Sequence, residues 1–171
     1  MSRERDALDR IRKQWSQARP DIDTSAMAVI GRVSRLSRII DKRLAADYAD
    51  HGLEAWMFDV LATLRRGGEP FELTAGELVS QTMVTTGAMT NRIDRLVARG
   101  LVERSADPED RRVVRVRLTA DGLRLVDEAA ETHYELERQL LGSLSRKQQT
   151  ALADSLRTLL IDLGDADEAP R

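Results

Sequence analysis

The sequence predicts a mainly helical fold that carries one small β-hairpin. Apolar residues recur at helical spacing through most of the chain. Strand-like alternation is confined to the neighbourhood of 101–105 and 113–118, where Val114, Val116 and Leu118 alternate with Arg115 and Arg117. Aromatic residues make up only 4% of the chain, too few for a β-sandwich. A length of 171 residues with 42% hydrophobic and 33% charged content suits one cored domain with solvated helical extensions.

The first expected helix covers 3–17, with Leu8, Ile11 and Trp15 at helical spacing. Arg19-Pro20-Asp21 breaks it, because a proline disfavours helix at the residue before it, and Thr24 or Ser25 can cap the next start. A long helix follows over 26–49, its apolar stripe being Val29, Val33, Leu36, Ile40 and Leu44, and His51-Gly52 ends it. Leu53 to Arg66 is the third helix, with Trp56, Val60, Leu61 and Leu64 as core candidates, closed by Gly67-Gly68-Glu69-Pro70. Thr74-Ala75-Gly76-Glu77 matches a capping box and opens a short helix to about Ser80, with a turn through Gln81-Thr82-Met83.

Next comes a helix over 85–99, with Met89, Ile93, Leu96 and Val97 on one face and Gly100 as its stop. The two strands follow, joined by the charged turn Asp107-Pro108-Glu109-Asp110-Arg111-Arg112. Thr119 caps a long helix over 120–142, with Leu123, Val126, Ala130, Tyr134 and Leu140 on its stripe. Ser145-Arg146-Lys147-Gln148 is a second capping box, opening a last helix with Leu152, Leu156, Leu159, Leu160 and Leu163. Residues 164–171 are acidic, lack periodicity and read as a flexible tail.

Composition excludes several functions. The chain has no cysteine, which rules out disulfides, thiolate metal sites and cysteine nucleophiles and suits a reducing compartment. The charged N-terminus leads into no apolar signal region, and no window approaches a membrane span, so a cytoplasmic location is expected. His51 and His133 lie in no metal-type spacing and read as surface or helix-end residues. No phosphate loop or nucleophile motif occurs, so neither enzyme activity nor a cofactor is expected.

The net charge of −2 argues weakly against nucleic-acid binding, but the charge is unevenly spread. Thr85–Leu118 holds eight arginines against five acids, whereas the stretch from Thr119 onward holds six basic against eleven acidic residues. An acidic protein can still bind phosphate through such a basic segment.

That segment has the form of a reader of DNA. A helix fits the major groove, and small polar residues near its N-terminus reach base edges. Thr85, Thr86, Thr90 and Asn91 are of the right type, Gly87 leaves room for close approach, and Arg95 is placed for phosphate or base. The hairpin turn would present Arg111 and Arg112 to the adjacent groove, with Asp110 orienting Arg112. Together with the short helix before it, this is a winged helix–turn–helix. Taken alone, the 85–99 helix suits equally a helical hairpin with a polar face, and a protein–protein module without DNA binding stays open.

Asp110-Arg111-Arg112, five residues, then Leu118-Thr119 and Gly122 resembles the wing signature of MarR-type regulators, and the helix order resembles that family over about 26–163. The resemblance implies a homodimer of winged-helix lobes (53–118), paired through 26–49 and 120–163, on a pseudo-palindromic double-stranded operator. A narrower resemblance is to the urate-responsive branch of the family, whose extra N-terminal helix with its linker would be residues 1–25 here. It implies an effector site of Trp15, Asp59, Arg92 and Arg104 for urate or a related purine or carboxylate, and regulation as a repressor. A flat anion can stack on an indole and pair with guanidinium groups. The competing possibility is a structural Asp59–Arg92 ion pair with Trp15 in the core.

Overall fold

The computed structural model describes residues 5–82 and 84–166. Among these, seven helices and a three-stranded antiparallel sheet form two compact units divided between Ala129 and Ala130.

The first unit opens with α1 (Ala7–Ala18). Asp6 caps it, accepting the backbone N–H groups of Leu8 at 2.9 Å and Asp9 at 3.0 Å, while Asp9 returns a bond to the Asp6 N–H. Residues 3 and 4 of the expected helix lie outside the described residues. The acids that cap α1 also dock it on α2 (Met27–Asp50), for Arg32 donates to Asp6 at 2.8 Å and to Asp9 at 2.9 Å. Leu8, the buried residue of α1, sits over Gly31, where an added Cβ would stand 2.6 Å from its Cδ1. A Cβ at position 31 would therefore require the Leu8 side chain to shift.

Of the expected apolar stripe of α2, Val29, Val33 and Leu36 are exposed, whereas Ile40 and Leu44 are half-buried. Ile30 and Ile39 are also exposed, and α2 buries only Tyr48, stacked on Phe58 with ring centres 4.5 Å apart.

The core lies around α3 (Ala55–Arg66). Val60, Leu61, Thr63 and Leu64 are fully buried, as are Leu78 of α4 (Ala75–Thr82), Leu96 of α5 (Thr86–Ala98) and Val116 of β3 (Val114–Leu118). The Thr63 hydroxyl donates to the Asp59 carbonyl at 2.7 Å, which satisfies the buried polar group inside its own helix. Trp56 departs from the expected core role and is only half-buried. The Thr74–Glu77 capping box forms in both directions, at 2.7 and 3.1 Å, and α4 runs on through Gln81 and Thr82 where a turn was expected. Met83 of that turn lies outside the described residues.

A third strand, β1 (Glu72–Thr74), was not anticipated. It pairs with β3, which also pairs with β2 (Val102–Ala106), so the order is β1–β3–β2. Glu72 and Glu103 lie opposite Arg117 on either side. Gly100, at φ 68°, ends α5 in the left-handed region and sends the chain into β2. The sheet then passes into α6 (Ala120–Leu140) through Thr119, whose hydroxyl donates to the Gly100 carbonyl at 2.7 Å and accepts the Gly122 N–H at 3.0 Å. A Cβ at Gly122 would fall 1.9 Å from the Leu101 carbonyl oxygen, so only glycine lets α6 start against the foot of β2.

The second unit comprises the rest of α6 and α7 (Arg146–Asp162). Ser145 and Gln148 close the expected capping box, and α7 ends at Asp162. No described residue of α7 is buried, and Leu152, Leu159, Leu160, Ile161 and Leu163 are exposed. His133 departs from its expected surface role, for its side chain is only 12% exposed and stands 3.3 Å from Glu137 and edge-on to Tyr134. Residues 167–171 of the expected tail lie outside the described residues. None of the described helices is long and apolar enough to cross a membrane.

Candidate nucleic-acid interface

The buried face of α5 consists of Met89, Ile93 and Leu96. Val97, expected with them, is 36% exposed, because it falls at the edge of the helical stripe. The opposite face carries Thr86, Gly87, Thr90, Asn91 and Arg95, all exposed. Thr85 is the N-cap, its hydroxyl accepting the Ala88 N–H at 3.3 Å. Thr90 turns its hydroxyl back onto the Thr86 carbonyl at 3.1 Å. The N-terminal half of α5 therefore presents a shallow surface of small side chains and one amide.

The hairpin tip is built on Asp107. Its carboxylate accepts the N–H groups of Glu109 at 2.8 Å and Asp110 at 3.1 Å, and the Arg115 Nε–H at 2.6 Å. The Glu109 N–H, then Arg115 and the Asp110 N–H, hold this carboxyl below the ordinary range. Arg115 also reaches Glu72 at 3.0 Å, tying the tip to β1. From this anchored base the tip projects Arg111 and Arg112. The Arg112 side chain is 91% exposed and pairs with Asp110 at 3.1 Å, the orienting contact expected from the sequence. Arg112 also depresses the Asp110 carboxyl.

The four expected effector-site residues are not all brought together. Arg92, half-buried on α5, lies 3.9 Å from Asp59 on α3. Burial pushes the Asp59 carboxyl up, against the opposing pull of Arg92 and Arg66. Arg104, expected in the effector site, pairs instead with Asp94 of α5. Trp15 is 43% exposed, so it is not a core residue, and it lines a shallow groove on α1 with Ile11, Gln14 and Ala18. The aromatic ring beside Arg92 is instead Trp56, with the guanidinium carbon 5.7 Å from the ring centre.

Trp56 belongs to a cluster that sequence reasoning missed. Arg95 lies over the same ring at 4.6 Å and pairs with Glu54, while the Trp56 indole N–H donates to the other Glu54 oxygen at 2.9 Å. Trp56 was visible only as one of several apolar residues on α3, and Glu54 only as a charge at a helix start. Their meeting with Arg95 depends on how α3 and α5 pack. No group of described residues could hold a metal ion.

A model of the MarR family matches residues 51–113, from the end of α2 to the hairpin tip. The chain is 39% identical over 140 residues to the HTH-type transcriptional regulator PecS of Dickeya dadantii, covering 82% of this chain and 84% of PecS. It is similar in structure to a mutant MarR from E. coli complexed with operator DNA, with TM-score 0.70 and 26% identity over 81% of this chain and 99% of that one. It is likewise similar to Bordetella bronchiseptica BpsR, in a structure on the regulation of its DNA binding by 6-hydroxynicotinic acid, with TM-score 0.71 and 29% identity over 85% and 99% of the two chains.

Proposed function

We propose, since this chain belongs to the MarR family of transcriptional regulators, that it is a homodimeric repressor released from a pseudo-palindromic operator by a small planar anion. The observation that carries this reading is the pairing of two exposed features. One is the small polar surface at the start of α5, and the other is a hairpin tip whose Arg112 is nine-tenths exposed yet oriented by Asp110. In each lobe α5 enters the major groove. Thr85, Thr86, Thr90 and Asn91 lie near bases, and Arg111 and Arg112 lie at the flanking minor groove.

Residues 53–118 form the DNA-binding lobe. The stretches 26–49 and 120–163 pair the protomers, a role supported by the uncovered apolar residues of α2 and α7. Dimer symmetry places half-sites about one helical turn apart, roughly 10 bp. The family relation and the absence of a membrane-crossing helix among the described residues support action in the cytoplasm.

The effector reading rests on Asp59 and Arg92, which bridge the core helix and the reading helix. A planar carboxylate or purine anion such as urate competes with Asp59 for Arg92, with Trp15 of the N-terminal helix and Arg104 completing the pocket in the DNA-free arrangement. An effector releases DNA only if it binds that arrangement better. A hundredfold loss of operator affinity needs about 2.7 kcal/mol of differential binding, within reach of one or two charge-assisted contacts.

The test is a gel-shift titration with the DNA upstream of the protein's own gene. Arg112→Ala is expected to weaken binding about tenfold with the dimer intact, and undiminished binding contradicts the wing assignment. Urate is expected to release the wild-type protein, with Arg92→Ala blunting the response. Calorimetry showing no urate binding at millimolar concentration removes urate and leaves the DNA reading standing.

A further inference from the structure

We propose that Glu54 is an intramolecular competitor for the DNA backbone, holding the guanidinium of Arg95 that would otherwise neutralise a phosphate. The inference rests on the DNA-binding reading above and changes the role of Arg95 within it.

Glu54 is the residue before α3, in an extended conformation, and its side chain makes no capping bond to its own helix. Its carboxylate is committed elsewhere. One oxygen accepts the Trp56 indole N–H at 2.9 Å, and the other accepts an Nη–H of Arg95. The indole bond, then the contact with Arg95, lowers the Glu54 carboxyl against the effect of partial burial, so it is ionised under ordinary conditions.

Arg95 is thus held on two sides, by a carboxylate at its edge and by the Trp56 ring beneath it at 4.6 Å. Its side chain nonetheless remains 50% exposed. It stands one helical turn beyond Asn91, beside the face that reads bases. A phosphate offers a guanidinium the same paired acceptor oxygens as a carboxylate. At this edge of α5, Glu54 already occupies the place a phosphate would take. The cost to the protein is one counterion-releasing contact per lobe, and the gain is weaker attachment to DNA of any sequence.

The experiment measures the salt dependence of binding, by fluorescence anisotropy, to a random-sequence duplex. The proteins are the full-length wild type, Glu54→Gln, Arg95→Ala and the double variant. The glutamine keeps an acceptor for the indole and removes the charge. Each phosphate contact contributes about 0.9 to the slope of log K against log salt, so a dimer gains about two. Glu54→Gln is expected to steepen the slope by that amount, Arg95→Ala to leave it at the wild-type value, and the double variant to return to wild type.

A flatter slope for Arg95→Ala alone means that Arg95 already contacts DNA and overturns the inference. So does an unchanged slope for Glu54→Gln, which is the result if Glu54 merely ties α3 to α5. Should Glu54→Gln fail to fold, the Arg95→Ala slope decides by itself. Absence of wild-type binding at low salt overturns the DNA-binding reading, an outcome distinct from binding with unaltered slopes.

Discussion

The lobe from α3 to β3 and the helix α2 are both rich in apolar residues, yet they use them differently. In the lobe, Leu61, Leu64, Leu78, Leu96 and Val116 are closed off from solvent by their own chain. In α2, Val29, Ile30, Val33, Leu36 and Ile39 form a stripe as regular and leave it in solvent. Exposed apolar stripes of this length mark surfaces that another molecule covers. The difference teaches that hydrophobic periodicity identifies a buried face without saying whose chain buries it.

The sharpest way to break the comparison is to cut one residue from the lobe. Leu61→Ala leaves a cavity in a close-packed core and is expected to cost about 3 kcal/mol. Urea denaturation of the purified protein measures this, and a loss below about 1 kcal/mol would mean the core is not where the structure places it.

The α2 stripe calls for the opposite kind of change. Val33→Glu with Leu36→Glu puts charges into an apolar contact and is expected to weaken self-association a hundredfold or more, about 2.7 kcal/mol at about 1.36 per tenfold. Sedimentation velocity at micromolar protein should then show monomer. An unshifted dimer would place the interface elsewhere.

A smaller effect is expected at the hairpin tip, where polar bonds replace apolar burial. The Asp107 carboxyl is depressed in the folded protein by the Glu109 N–H, Arg115 and the Asp110 N–H. Its contribution is therefore present above the unfolded carboxyl pKa of about 3.9 and is lost as pH falls through the lower folded value. Asp107→Asn should flatten the acid limb of the stability–pH curve below about pH 4 and raise hydrogen exchange at Glu109 and Asp110. An acid limb identical to wild type would mean that the tip is not anchored there.

Most of the fold was legible because its punctuation is local. Thr85 and Gly100 bracket α5, Thr74 with Glu77 opens α4, and Ser145 with Gln148 opens α7, each through contacts a few residues apart. The strand β1 was not legible, since three residues carry no period and Glu72–Thr74 is a strand only by pairing with β3 far along the chain.

The candidate site divides the same way. The exposure of Thr86, Asn91 and Arg112 follows from helical phase and turn chemistry. The partners of long side chains do not: Arg104 finds Asp94, Arg95 finds Glu54, and Trp56 takes the place beside Arg92 that was expected for Trp15. Arginine reaches far enough that packing between elements, which spacing along the chain does not encode, selects its partner.

The most direct test of the DNA-reading assignment is a nuclease footprint on the region upstream of the protein's own gene. Two protected half-sites are expected, centred roughly 10 bp apart and related by inversion, with protection lost for Arg112→Ala at the same protein concentration. A wild-type protein that protects no segment, or a single one without its inverted mate, would contradict that assignment.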